Sequence, residues 1–145
     1  MIVKQVMSSE LRTLKPESSV RLAMKLLVLE DIRHLPVVEE GRLVGIVSER
    51  DLRPLLAGVL EKTERPDDVE RRLSQPISNV MTTDVLAVHP ETQLADAVEM
   101  MVAQRIGALP VVESDTGRLV GIMSYVDVLN VVQKLLRASD SAKIS

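Results

Sequence analysis

The chain has 145 residues, 46% of them hydrophobic and 27% charged, so it is long enough and apolar enough to bury a core. Its net charge of −3 argues against a nucleic-acid partner, and the absence of cysteine excludes disulfides, thiolate metal sites and cysteine nucleophiles. Because no apolar run is long enough to span a membrane and no signal-peptide pattern opens the chain, we expect a soluble, cytoplasmic protein.

An internal repeat covers most of the chain. Val6-Met7-Ser8 returns 74 residues later as Val80-Met81-Thr82. The segment GRLVGI at residues 41–46 is identical to residues 117–122, at an offset of 76, because the second copy has a longer turn before it. Two copies of one supersecondary unit are the simplest explanation of such self-similarity.

The first part of each copy predicts an extended run followed by a helix. The runs at residues 11–14 and 85–88 end near a proline, which disfavours helix in the residue before it. Ser18 and Thr92 then suit the N-caps of two helices that carry apolar residues at positions i, i+3, i+4 and i+7. We therefore expect an amphipathic helix after each extended run.

The second part of each copy predicts two strands and another helix. The strands are short apolar runs joined by a turn at Gly41 or Gly117, and the helices begin at Ser48 or Ser124. Pro54 predicts that the first of these helices is kinked or short. The order per copy is β-α-β-β-α, and the fold class is α/β (α+β), with two units related by a pseudo-twofold axis and packed as one module.

The repeat also predicts the division of the chain. The predicted segments are a first unit, a charged linker with one helical turn around residues 69–73, a second unit, and a polar, frayed tail: residues 1–60, 61–75, 76–137 and 138–145. The helix that follows Ser124 is more apolar, from Val128 to Leu136, than a small unit needs. This surface indicates docking on the first unit or on another subunit.

The Ser-x-x-Asp motif closes each copy of GRLVGI and has two interpretations. Ser48 with Asp51, and Ser124 with Asp127, have the spacing of a helix N-cap with an acidic residue at the third helical position. Alternatively, a carboxylate beside free backbone N–H groups at a helix N-terminus can bind ribose hydroxyls while the amides face an anion. Its position after a strand in both repeats favours two equivalent binding sites.

Catalytic chemistry has little support in the sequence. His34 and His89 lie at non-equivalent places, and no histidine and carboxylate cluster has metal-ligand spacing. There is no phosphate-binding glycine-rich motif of the P-loop or dinucleotide type. Asp51 and Asp127 are related by the repeat, so they do not resemble an acid and a base with different roles. We therefore expect no enzyme activity, no required cofactor and no metal.

The repeated pattern resembles a tandem pair of CBS (cystathionine-β-synthase) domains, the arrangement called a Bateman module. The resemblance rests on the Val-Met-Ser/Thr segments, the two Leu-Pro-Val-Val strands and the two Ser-x-x-Asp motifs, in the same order twice. It implies binding of an adenosyl ligand, namely AMP, ADP, ATP or S-adenosylmethionine. It also implies a homodimer and a regulated protein partner.

The family resemblance further implies which residues bind the ligand. Asp51 and Asp127 are expected to hold the ribose hydroxyls, with Ser48 and Ser124 near ribose and phosphate. Residues before the Leu-Pro strand are expected to reach phosphate or ribose, and residues around the Val-Met segments to line the base pocket: Arg33, His34, Gly107, Ala108, Ser8, Leu11, Thr82 and Val85. The sequence leaves open which upstream segment accompanies which aspartate.

The two sites are not equal at these positions. Arg33 and His34 are phosphate-binding candidates, since a guanidinium suits phosphate, whereas Gly107 and Ala108 offer only backbone and space. The site near Arg33 is therefore predicted to prefer a phosphorylated ligand. The predicted function is a stand-alone regulatory pair that senses an adenine nucleotide and modulates a partner. The alternative is a dimerising scaffold with degenerate pockets that binds no ligand.

Overall fold

The computed structural model describes residues 1–30, 32–60 and 65–144. Nine longer helices and strands are found in these ranges, in the order α1 to α5 and β1 to β4 along the chain: α1 (Val20–Leu29), β1 (His34–Glu39), β2 (Arg42–Ser48), α2 (Glu49–Leu60), α3 (Pro66–Ser74), α4 (Leu94–Gln104), β3 (Ala108–Val112), β4 (Leu119–Ser124) and α5 (Tyr125–Ile144). The mixed helix and strand fold with two repeated units confirms the predicted fold class.

The chain forms two compact units whose boundaries differ from those of the repeat. One unit contains residues 12–85, and the other combines residues 1–11 with residues 86–145. Each unit has its own buried core: Leu35, Val37, Val47 and Ile77 belong to the first, and Val3, Leu109, Val111 and Met123 to the second. The segments that open the two copies of the repeat, Val6-Met7-Ser8 and Val80-Met81-Thr82, therefore each belong to the unit that contains the hairpin of the other copy.

Each unit contains one antiparallel hairpin, β1 with β2 or β3 with β4. The short apolar runs form strands as predicted, but only β1 and β3 are mostly buried, whereas buried and half-buried residues alternate along β2 and β4. In the first hairpin, Glu40 and Gly41 make the two-residue turn with φ of 52° and 81°. Positive φ at both turn residues matches the right-handed twist of the flanking strands.

The predicted first strand of each copy is reduced to a single bridging residue. Leu14 pairs in parallel with Val37, and Val88 pairs in parallel with Val111. Leu14 N–H donates to the Pro36 carbonyl at 2.9 Å, and Val38 N–H donates to the Leu14 carbonyl at 2.8 Å. These bonds attach the extended run to the outer edge of the hairpin without making a longer strand.

The predicted caps of the first helices are wrong. The N-cap of α1 is Ser19, whose hydroxyl accepts from Leu22 N–H, and the N-cap of α4 is Gln93. Ser18 and Thr92 instead accept from the N–H groups of the residues three positions earlier, at 3.0 Å in both cases. Their hydroxyls close the turn that leads into the helix, which therefore starts one residue later.

The linker and the tail contain more helix than predicted. Instead of one turn, α3 has nine residues, and Arg21 of α1 donates to Glu70 on α3 at 2.6 Å. The first four predicted linker residues, 61–64, lie outside the described residues.

α2 continues through Pro54 over 12 residues, whereas α5 has 20 and includes the predicted tail up to Ile144. Asn130 stands where α2 has its proline, so α5 keeps all its backbone donors.

Candidate functional site

Each Ser-x-x-Asp motif forms a hydrogen-bonded cap where a strand passes into a helix. Ser48 donates to Asp51 Oδ2 from its backbone N–H at 2.8 Å and from its hydroxyl at 3.1 Å. Ser124 donates to Asp127 Oδ2 at the same two distances. In the second motif, Asp127 N–H also donates to Ser124 Oγ at 3.3 Å. The serine–aspartate bonds of the cap interpretation are therefore present in both motifs, and among the described hydrogen bonds the second motif also has the reciprocal bond to the serine hydroxyl.

The caps leave part of each carboxylate available. Asp51 and Asp127 are half-buried, and each receives both cap bonds on Oδ2. Among the hydrogen bonds of the described residues, none ends on Oδ1 of either aspartate. A carboxylate has about four acceptor positions, so this oxygen can accept from a ligand hydroxyl while the cap stays intact. Capping and ligand binding are therefore compatible.

The strand that leads into each cap pairs, through its backbone, with the Val-Met-Ser/Thr segment that opens the other copy of the repeat. Ile46, two residues before Ser48, exchanges two hydrogen bonds with Thr82, both of 3.0 Å. Ile122, two residues before Ser124, exchanges bonds of 2.9 and 3.0 Å with Ser8. Thr82 therefore accompanies Asp51, and Ser8 accompanies Asp127. This answers the question of pairing that the sequence left open.

Two methionines sit directly over glycines in these strands, a feature that the sequence analysis missed. A Cβ atom on Gly45 would lie 2.5 Å from Met81 Sδ, and one on Gly121 would lie 2.5 Å from Met7 Sδ. Both glycines are buried. The signal was present, since an isolated glycine inside a strand often marks a place where another backbone approaches closely.

The hairpin places His34 beside the first cap. His34 opens β1 and is the cross-strand partner of Ser48. Burial lowers the pKa of its imidazole, the charge of Arg33 lowers it further, and the carboxylate of Asp51 opposes both effects. The charges of Arg33 and Asp51 therefore both act on the His34 imidazole.

The second unit has apolar groups at the equivalent places. Ala108 is the cross-strand partner of Ser124 and is 5% exposed. The carbonyl of Gly107 accepts from Tyr125 N–H at 2.9 Å, which uses the first amide of α5. Leu11 and Val85 are half-buried and lie three residues beyond Ser8 and Thr82, and their contact with a ligand stays a prediction.

The structure thus divides the predicted binding residues into two sets of six. Residues 12–85 contain the first set: Arg33, His34, Ser48, Asp51, Thr82 and Val85. The other unit contains the second set: Ser8, Leu11, Gly107, Ala108, Ser124 and Asp127. We call these the Asp51 site and the Asp127 site.

Two open grooves lie elsewhere, near the hairpin turns. One has a volume of about 640 Å³ and is lined in part by Lys15, Glu39 and Gly41, and the other has about 460 Å³ and is lined in part by Lys4 and Asp115. Neither groove contains a predicted binding residue.

In the described part of the chain, no group of three or more histidines and carboxylates could hold a metal, and no helix could cross a membrane.

Comparisons with known proteins identify the repeated unit. The CBS domain profile matches residues 3–58 and 77–134. A CBS domain-containing protein of Dictyostelium discoideum is 30% identical over 136 residues, which are 93% of this chain and 93% of that protein. The CBS domain-containing protein YhcV of Bacillus subtilis is 31% identical over 86% of this chain and 81% of its own length.

Solved structures give the same result. A crystal structure of CBSX2 in complex with AMP has a TM-score of 0.77 and 31% identity, covering 92% of this chain and 97% of that one. The CBS domain pair of protein MJ0100, in complex with 5′-methylthioadenosine and S-adenosyl-L-methionine, has a TM-score of 0.74 and 27% identity, covering 92% and 97%. With two matched copies in one chain, this protein belongs to the CBS domain family.

Proposed function

We propose that this protein is a regulatory CBS pair that binds an adenosyl ligand (AMP, ADP, ATP or S-adenosylmethionine) and modulates a protein partner, without catalysing a reaction or requiring a cofactor. The observation that carries the proposal is the repeated cap, in which Oδ1 of Asp51 and of Asp127 accepts no hydrogen bond from the described residues, with the backbone of Thr82 or Ser8 paired to the strand before the cap. Similar CBS pairs in complex with AMP or with 5′-methylthioadenosine and S-adenosyl-L-methionine support the ligand class. A cytoplasmic location stays a prediction.

Each aspartate has the chemistry to bind a ribose. A ribose offers two adjacent hydroxyls, and a carboxylate accepts from such donors through charge-assisted hydrogen bonds. The hydroxyls of Ser48 and Ser124 lie 3.1 Å from the same carboxylates and hold them in place. A fixed acceptor at a helix N-terminus needs little reorganisation when the ligand arrives.

The test is to titrate Asp51→Ala and Asp127→Ala with AMP and 5′-methylthioadenosine. Loss of a hydrogen bond to a carboxylate costs roughly 1.5–3 kcal/mol, or about 10- to 150-fold in affinity. Loss of the cap alone would lower stability by about 1 kcal/mol and leave affinity unchanged. Asp96→Ala is a matched control, because Asp96 occupies the third position of α4 outside the motif.

The scaffold alternative makes a different prediction. A ligand that binds only the native state raises the melting temperature by mass action. Wild-type protein whose melting temperature does not change with millimolar AMP or 5′-methylthioadenosine would favour the scaffold. Unchanged affinity in both aspartate variants would leave these residues with a capping role only.

We also propose that the protein is a homodimer, and the exposed apolar surface of α5 supports this. Leu129, Leu135 and Leu136 are 56%, 61% and 60% exposed. Large apolar side chains in one contiguous region of a helix are typical of an association surface. Sedimentation that finds a monomer at micromolar concentration would contradict the proposal.

A further inference from the structure

We infer that the two sites take different classes of adenosyl ligand: the Asp51 site takes a phosphorylated one, and the Asp127 site takes one whose 5′ group carries no phosphate. This inference rests on the proposed function and adds the ligand class of each site. It comes from the residues that the fold places at equivalent positions around the two caps.

The cap of the Asp51 site has two arginines and a histidine close to it in the sequence, together with the acidic Glu49 at the first position of α2. His34 is paired with Ser48, and the charges of Arg33 and Asp51 both act on its imidazole. Arg50 lies two residues after Ser48, in the first turn of α2, and is exposed. A helix N-terminus with adjacent arginine side chains favours a phosphate, because the amide dipoles and the guanidinium charges act in the same direction.

The Asp127 site has apolar or small residues at each of these places. Gly107, Ala108 and Val126 correspond to Arg33, His34 and Arg50 at the offsets of the repeat. Without a cation at these positions, the carboxylate of Asp127 makes the local charge negative and repels a phosphate.

The backbone of the Asp127 site also disfavours an anion. Because Tyr125 N–H donates to the Gly107 carbonyl, the first amide of α5 is already satisfied and has no proton to offer a phosphate. Val126, which is 46% exposed, adds no charge at the position where the other site has Arg50. The arginine nearest to Gly107 in the sequence is Arg105, at the C-cap of α4. It is exposed and does not occupy a position that corresponds to Arg33 or Arg50.

The experiment isolates each site and compares two probes, AMP and 5′-methylthioadenosine, which share adenine and ribose but differ in the 5′ group. Asp127→Ala leaves the Asp51 site, which should bind AMP at least about 10-fold more tightly than 5′-methylthioadenosine, since charge-assisted bonds to phosphate are roughly twice as strong as neutral ones. Asp51→Ala leaves the Asp127 site, which should bind 5′-methylthioadenosine at least as tightly as AMP.

A charge swap then tests the residues themselves. In the Asp127→Ala background, Arg33→Gly with His34→Ala gives the Asp51 site the residues of the other site at these two positions, while Arg50 is kept. AMP affinity should fall roughly 10- to 100-fold, with less than about 3-fold change for 5′-methylthioadenosine. Arg42→Ala is the control, because Arg42 belongs to the same unit but pairs with Glu39 at the opposite end of the hairpin.

The outcomes separate this inference from the proposed function. If both sites bind both probes with the same preference, or if the swap reduces affinity for both equally, the inference is overturned and the proposed function stands. If wild type binds neither probe, and none of ADP, ATP and S-adenosylmethionine, the proposed function fails as well. If the variant with both substitutions is too unstable to titrate, the salt dependence of AMP affinity in Asp51→Ala and Asp127→Ala is the test. AMP affinity at the Asp51 site should fall as salt screens the charges, and AMP affinity at the Asp127 site should not. Equal salt dependence at both sites overturns the inference.

Discussion

Replacing Gly45 by alanine should destabilise the unit formed by residues 12–85, because the added methyl group occupies the place of a methionine. The new Cβ would lie 2.5 Å from Met81 Sδ, 3.0 Å from its Cγ and 3.2 Å from the Thr82 carbonyl oxygen. The thioether must leave its position, whereas the carbonyl needs to move only by a few tenths of an ångström. Overpacking of this kind costs about 1–3 kcal/mol, and we expect the lower half of that range because methionine is flexible.

A double-mutant cycle measured by urea unfolding tests the assignment to one contact. Met81→Ala alone should destabilise by loss of packing, but in that background Gly45→Ala should cost at least about 1 kcal/mol less than it does in wild type. Gly117→Ala is the control, because its Cβ would meet nothing within 4 Å although its φ of 71° makes alanine strained. Its cost should not depend on Met81. Additive effects of Gly45→Ala and Met81→Ala would refute the reasoning.

Three further variants follow from local geometry. Gln93→Ser should stabilise α4 by about 1 kcal/mol in urea unfolding, because Gln93 occupies the N-cap without a side-chain cap bond in the described structure; no gain would contradict this. Arg105→Gly should raise the free energy of unfolding by about 1 kcal/mol, because Arg105 has a left-handed φ of 53°, which glycine adopts without strain; a lower free energy of unfolding would show that the arginine side chain matters more. The lowered pKa of His34 means that the unfolded state takes up its proton more readily, so stability should fall as pH drops below the ordinary value of 6.5. His34→Gln should flatten the dependence of melting temperature on pH, and a slope equal to that of the wild type would contradict the assignment.

Periodicity and the repeat predicted much of each unit from the sequence, and the reasons are local. The hairpins follow from short apolar runs with a glycine between them, and the caps follow from a serine three residues before an aspartate. The errors came from competition between neighbours. Ser18 and Ser19 are both good cap residues, and the choice depends on which hydroxyl is taken by the turn N–H of Lys15.

The pairing of the upstream segments could not be predicted, because it is not a local property. Val6-Met7-Ser8 and Val80-Met81-Thr82 are nearly the same sequence, and both GRLVGI strands present the same glycine to a methionine. Either segment therefore fits either strand in size and hydrogen bonding. The length and path of the chain between the segments decide the pairing, and neither can be read from the motif.

Because of this pairing, the residues predicted for each site do not coincide with one copy of the sequence repeat. A fragment that ends at residue 60 contains Asp51 and its cap but lacks Thr82, whose backbone completes the edge of β2 through two bonds of 3.0 Å. It would also lack Ile77, which is fully buried in the core of the same unit. The same fragment keeps residues 1–11, although Val3 is buried in the core that contains Leu109 and Met123. Residues 12–85 therefore contain all six residues predicted for the Asp51 site, whereas the six predicted for the Asp127 site come from both ends of the chain.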